Sequence, residues 1–202
     1  MYEGMRFTSA DLDVLQKAEG KRYEIIDGEL YVSAQPHYGH QVCCTNTCCL
    51  LANWDRETGL GESVYAPGII FADDDDVAPD VVWCSYALLD KVLGADGKFH
   101  GAPELVIEVL SPGSTNERRD RETKRKLYAR RGVQEYWILD WLMGRAEIFR
   151  RRFRQLRLAE TLNKRDVLRS PLLPGFVSQV ADLFDFPPRK NGNGKPSSTV
   201  CK

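Results

Sequence analysis

The stretch Pro103-Glu104-Leu105-Val106-Ile107-Glu108-Val109-Leu110 places one carboxylate inside an otherwise apolar strand. Alternation puts Leu105, Ile107 and Val109 on one face of such a strand, and Val106, Glu108 and Leu110 on the other. An unpaired buried carboxylate costs several kcal/mol, roughly, so Glu108 requires a compensating partner. A metal ion is one such partner. Upstream, Pro79-Asp80 opens a second apolar run, Val81-Val82-Trp83-Cys84. Two strands that each bring an acid to one place suit a hard, oxygen-seeking cation of the kind used in phosphodiester chemistry. Plainer readings exist for both residues. Glu108 could pair with a buried lysine and hold no metal, and Asp80 could cap a turn after its proline.

The elements that must position these acids follow from local signals. Thr8-Ser9-Ala10-Asp11 has the form of a helix start, and Leu12, Leu15 and Ala18 supply an apolar stripe. Asp27-Gly28 lies between two β-prone runs, which predicts a hairpin over 22–32 with a type I′ turn. Residues 38–56 read as a helix along the sheet, and residues 62–71 as short strands broken at Pro67-Gly68. Asp73-Asp74-Asp75-Asp76 reads as a solvated turn. The runs 104–110 and 134–140 read as central strands. A helix of about 15 residues separates them, with Ser114-x-x-Glu117 as a capping box and Gly132 beyond its end. Strand, helix and strand at this spacing predict a βαβ crossover. Later strands are expected at 145–149 and 155–159, and a short helix near 177–184. The composition of 189–202 is that of a disordered tail, leaving residues 1–188 as one folded domain.

At 202 residues, 43% hydrophobic and 28% charged, the chain has the composition of a soluble globular domain, which excludes global disorder. No apolar run approaches a membrane span, and the first residues lack the basic flank and apolar core of a signal peptide, so a cytoplasmic location is expected. The net charge of -1 conceals an asymmetry. Residues 1–117 carry 7 Lys+Arg against 20 Asp+Glu, whereas residues 118–169 carry 17 against 7. Acids for an ion beside cations for phosphates are what a metal-dependent nuclease requires; a solvated basic surface explains the same counts equally well.

Four of the six cysteines fall in Cys43-Cys44-Thr45-Asn46-Thr47-Cys48-Cys49. On a helix Cys44 and Cys48 share a face, while Cys43 and Cys49 point elsewhere. Cys84 and Cys201 are single, so the second ligand pair of a zinc site is missing and the cysteines read as small packing residues. His37 and His40 lie three apart, with no third ligand evident near them.

The ordered set of motifs carries a family resemblance. It comprises the Tyr-Glu-Ile-Ile-Asp-Gly-Glu hairpin, a His before a helix, Pro-Asp-Val-Val and Glu-Val-Leu-Ser-Pro. An Arg-Asp-x-x-x-Lys-x-x-x-Tyr helix and Gly-Val-x-Glu-Tyr-Trp-Ile-x-Asp complete it. Over about residues 6–186 the chain resembles the Uma-two family of endonucleases, within the PD-(D/E)XK restriction-endonuclease-like superfamily. The resemblance implies an α/β fold with a central mixed sheet flanked by helices. It implies a metal site of Asp80 and Glu108, with Glu24 as an additional acid and the Val109 carbonyl as a further ligand. Mg²⁺ is the expected ion, with Mn²⁺ able to substitute, and DNA the expected substrate. The superfamily usually places a lysine two residues after the second acid; here that residue is Leu110. The family supplies this lysine from the following helix, where Lys124 stands.

The residues allow simpler roles as well. Glu24 faces Tyr31 on the hairpin and could be a solvated cross-strand residue. Lys124 could pair with Asp120 on the helix surface. His40 matches the family's histidine, at the edge of the site. Tyr128, Tyr136 and Trp137 read as core. A catalytically inactive module that binds nucleic acid or a protein partner, and a metal-dependent hydrolase of another phosphoester, are the rival functions. Members of the superfamily are often dimers, so a homodimer is compatible with the resemblance.

Overall fold

The computed structural model describes residues 5–15 and 18–185. The expected tail lies outside the described residues, as does the Ser114 side chain of the expected capping box. Helix α1 (Ser9–Val14) starts as anticipated. The Asp11 carboxylate accepts the Thr8 N–H at 2.7 Å and the Thr8 hydroxyl at 2.8 Å. The hairpin joins β1 (Arg22–Ile26) to β2 (Glu29–Ser33). Asp27 and Gly28 have φ of 52° and 72°, the two positive values a type I′ turn requires.

Helix α2 (Tyr38–Thr58) is followed by β3 (Gly61–Tyr65), β4 (Ile69–Ala72), β5 (Asp75–Val77), β6 (Val81–Ser85), α3 (Tyr86–Val92) and β7 (Leu105–Val109). The crossover helix has three parts: α4 (Ser114–Arg118), a π-helical segment (Arg119–Lys124) and α5 (Arg125–Arg131). Gly132 ends it in the left-handed region. Then come β8 (Glu135–Asp140), β9 (Arg145–Arg152), β10 (Gln155–Asn163), β11 (Val167–Leu168), β12 (Ser178–Gln179) and α6 (Val180–Phe184).

The main sheet is six-stranded and mixed, in the order β10-β9-β8-β7-β6-β3. Its parallel pair is β7 with β8, joined by the crossover helix as the spacing predicts. Strand alternation separates two cores. Leu105, Ile107 and Val109 join Trp137 and Leu139 beneath α2 and α6. Val106 and Leu110 join Tyr136 and Ile138 against Leu127 and Tyr128 of α5. A second sheet, β2-β1-β5-β4, adds Ile26, Ile69 and Val77 to this latter core. Each large aliphatic side chain taken fully out of water contributes about 1.5–3 kcal/mol, so this double burial fixes the register of β7 and with it the face on which Glu108 emerges.

One local expectation is corrected. Asp73 and Asp74 do form a turn, but Asp75 and Asp76 lie within β5. Asp75 is fully buried. Its carboxylate accepts the Asp27 N–H at 2.8 Å and hydrogen bonds from Arg130 and Arg131 at the end of α5. An acidic run reads as solvated until a distant basic helix end is packed against it. This hub ties the small sheet to the crossover helix. Asp75→Ala is expected to lower stability by about 2 kcal/mol, since it removes the acceptor of the Asp27 N–H and the buried carboxylate that Arg130 and Arg131 share. Urea unfolding checks this; an unchanged midpoint would assign the ion pairs no net stabilising value.

Candidate functional site

Asp80 stands at the residue before β6 and Glu108 within β7, the neighbouring antiparallel strand. Both are buried, and both line one cavity of about 210 Å³ together with Arg22, His40, Val109, Ser111, Arg119, Asp120 and Lys124. The two acids therefore converge on one space rather than on opposite faces of the sheet.

Lys124 projects into this cluster from the last residue of the π-helical segment. Its Nζ lies 2.9 Å from Glu108 Oε1 and 2.9 Å from Glu24 Oε1. Lys126 is exposed and Arg125 turns to the Leu156 carbonyl and the Phe149 ring, so neither substitutes for it. Lys124 is not a surface partner of Asp120, since both residues are buried. The wide π turn keeps Asp120 and Lys124 facing inward, and such turns recur at functional sites. Glu24 is likewise not a solvated cross-strand residue. It does sit opposite Tyr31, but it is 1% exposed and also accepts the Ala78 N–H at 3.1 Å. Tyr128 belongs to the core as expected, yet its hydroxyl also donates to Glu108 Oε1 at 2.7 Å.

Asp80 is held from three elements. Arg22 of β1 lies 3.0 Å from Oδ1, while His40 Nε2 of α2 lies 3.2 Å from Oδ2, which also accepts the Val109 N–H at 2.9 Å. His40 is thus buried and meets the cluster through Asp80. Its immediate surroundings correct a further expectation, because third donors do stand near it. Cys44, one turn along α2, brings Sγ to 3.5 Å from His40 Nδ1. Arg22 and Arg119 carry no local sequence signal for a place here. They enter because the hairpin and the crossover helix meet over the cavity.

These contacts divide the acids electrostatically. Burial alone would raise the Asp80 pKa, but His40, Arg22 and Lys124 outweigh it and draw it down to about 2. Burial pushes Glu108 up to about 8, reinforced by Asp80, Asp120 and Glu24 and opposed by Lys124. Burial also opposes ionisation of Glu24, yet Lys124 and Arg119 bring it below the usual carboxylate range. For Lys124, Glu108 and Glu24 more than offset burial and keep the ammonium charged.

The shifts predict opposite limbs in the pH dependence of metal-free stability. Asp80 binds its proton more weakly when folded, so its contribution is complete above pH 3.8 and fades as pH falls through about 2. It is worth on the order of 2 kcal/mol. Glu108 binds its proton more tightly when folded, so its contribution is complete below pH 4.5 and fades as pH rises through about 8. Glu108→Gln should flatten the limb between pH 5 and pH 8, roughly, in a series of chelated thermal melts. A limb that survives the substitution would assign the decline to another group.

The donor set fits a hard divalent cation. Both hydrogen bonds to Glu108 use Oε1, which leaves Oε2 as an acceptor on a residue that lines the cavity. Asp80 Oδ1 retains a lone pair beside its bond to Arg22, and Val109 lines the same cavity. Carboxylate and carbonyl oxygens are the donors such ions take.

Comparison with known proteins agrees with this architecture. The family model Uma2, described as "Putative restriction endonuclease", matches residues 9–181, and the chain belongs to that family. Among solved structures it is similar to one titled as a putative nuclease belonging to DUF820 from Anabaena variabilis ATCC 29413. That match has 16% identity and a TM-score of 0.69, covering 88% of this chain and 97% of the other, which establishes a shared fold. No curated protein matches the sequence. No helix among the described residues is long and apolar enough to cross a membrane.

Proposed function

We propose that the protein is a Mg²⁺-dependent endonuclease that hydrolyses DNA phosphodiester bonds, with Mn²⁺ able to replace Mg²⁺. The observation that carries this reading is the convergence of Asp80, Glu108 and Lys124 on one cavity, in a chain of the Uma2 family. Asp80, Glu108 and the Val109 carbonyl would hold the ion, with Glu24 behind them. When bound, the ion would acidify a water and neutralise charge on the scissile phosphate.

The chain's own groups have separable tasks. Lys124 keeps its proton and offers an ammonium to a phosphate oxygen or to the attacking water. Glu24 anchors that ammonium from behind, so Lys124 is positioned and not merely tethered. Tyr128 fixes the Glu108 carboxylate through Oε1. Arg22 and Arg119 add positive charge around the cavity, where a polyanion must approach. A second groove, of about 350 Å³ between α5 and β10, is lined by Arg125, Lys126, Arg130, Arg154 and Arg157. It supports a nucleic-acid partner, since clustered cations exchange bound counterions for phosphates.

The test is incubation of the protein with supercoiled plasmid and with linear DNA, in Mg²⁺, Mn²⁺ or chelator. Nicking or linearisation that requires the ion is the expected result. The second reading, a non-catalytic binding module of the same fold, is favoured by one observation: Asp80, Glu108 and Glu24 already have cationic partners within the protein. Salt-dependent DNA binding without cleavage in any of these ions would establish that reading. Cleavage of small phosphoesters alone would move the substrate class away from DNA.

A further inference from the structure

We propose that His40, Cys44 and Asp80 form a second kind of cation site, one that takes a transition ion of the Zn²⁺ class through nitrogen, sulfur and oxygen. It shares Asp80 with the oxygen-only set of Asp80, Glu108 and Val109 but differs in the chemistry of its donors. His40 and Cys44 stand one turn apart on α2, so their side chains lie on one face. Asp80 reaches them from the start of β6. One donor atom from each residue can be chosen so that all three lie within 4.8 Å of one another. Among the described residues, no other group of three His, Cys, Asp or Glu donors is this close.

Tetrahedral zinc ligands lie roughly 3.3–3.8 Å apart when their bonds are ~2.0–2.3 Å long, so closing the set requires a contraction of at most about 1.5 Å along any edge. Two donors belong to a long helix, and the third is steadied by Arg22 and the Val109 N–H. Gln41 Oε1 lies 3.1 Å from His40 Nδ1 and orients the ring, as the outer partners of metal-binding histidines do. His40 and Asp80 line the cavity, which provides an entry path to the buried Cys44. Mixed nitrogen, sulfur and oxygen donors select Zn²⁺ or Co²⁺ over Mg²⁺.

Binding changes no oxidation state. The Cys44 thiol gives up its proton, as does the contact between His40 and Asp80, and both protons leave to buffer. Cys43 packs in the core and Cys49 is exposed, and neither belongs to this group of donors. An ion held here withdraws Asp80 from the oxygen set. Zn²⁺ should therefore antagonise Mg²⁺-dependent cleavage, a consequence that rests on the nuclease reading above.

Co²⁺ titration of the full chain tests the site without any cleavage assay. The expected result is a thiolate-to-cobalt charge-transfer band in the near ultraviolet, removed by added Zn²⁺. Cys44→Ala should abolish the band and weaken Co²⁺ binding by about tenfold or more, while Cys49→Ser leaves both unchanged. X-ray absorption at the zinc edge, measured on the unaltered chain, should count one sulfur per ion and keeps the idea testable if Cys44→Ala does not fold. A band that persists in Cys44→Ala, two or more sulfurs per zinc, or no sulfur at all would overturn the proposal. Cobalt binding in a protein that cuts no DNA would defeat only the nuclease reading. Cleavage in Mg²⁺ without a thiolate band would defeat only this one.

Discussion

Lys124→Met will lower metal-free stability by about 3–5 kcal/mol near neutral pH, the cost of removing one member of a buried charge cluster. The Lys124 side chain is 1% exposed, and its ammonium is shared by Glu24 and Glu108 at 2.9 Å each. Methionine fills the volume but leaves Glu24 buried with Arg119 at 4.0 Å as its nearest remaining cation. Glu108, its pKa raised to about 8, already holds a proton near neutral pH, whereas Glu24 owes its ionised form chiefly to Lys124 and loses that support. Adding Glu24→Gln to Lys124→Met should therefore recover part of the stability. Chemical denaturation of the two single variants and the double variant measures the coupling. A Lys124→Met protein as stable as the parent would show that the cluster relaxes or admits water. The same coupling governs how activity data on Lys124 are read. Loss of cleavage in Lys124→Met implicates the ammonium in the reaction only if the double variant is folded and equally inactive.

Asp80→Asn is expected to reduce Mg²⁺-dependent cleavage by about a thousandfold or more, because the charge stabilisation such ions supply amounts to several kcal/mol. Glu108→Gln should act in the same direction. Their effects on the metal-free fold should differ. Asp80 is stabilised as an anion by Arg22, His40 and the Val109 N–H, so its amide weakens those contacts. Glu108 is close to neutral near its raised pKa, and glutamine preserves an acceptor for Lys124 and Tyr128. Glu108→Gln should thus lose the Mg²⁺-induced rise in melting temperature while keeping most of the metal-free value. Single-turnover cleavage and melts with and without Mg²⁺ separate the two effects. A Glu108→Gln protein that still gains stability from Mg²⁺ would remove Glu108 from the ligand set.

Features governed by neighbours along the chain were legible in the sequence. Asp27-Gly28 announces its turn because few residues accept two successive positive φ angles. The alternation of Leu105 to Leu110 places Glu108 opposite Ile107 on β7, since the strand period is two whatever the strand packs against. Lys124 could be named because a resemblance supplied its position, not because its neighbours demanded burial. The remaining features depend on residues far apart in the chain. Glu24 looked as suited to solvent as to a site, until Ala78, and Lys124 of the crossover helix, about fifty and a hundred residues later, met its carboxylate. Asp75 changed from a solvated acid to a structural hub when Arg130 and Arg131 met it. The π-helical turn at Arg119–Lys124 has no signal in the capping and spacing rules, which presume 3.6 residues per turn. Cys44 reached His40 by helix spacing alone, but Asp80 joined them only through sheet packing. Torsion preferences and periodicity act over a few residues and can be read in order. The charge balance of a buried cluster is decided by which distant elements dehydrate it together, and that is a property of the folded chain.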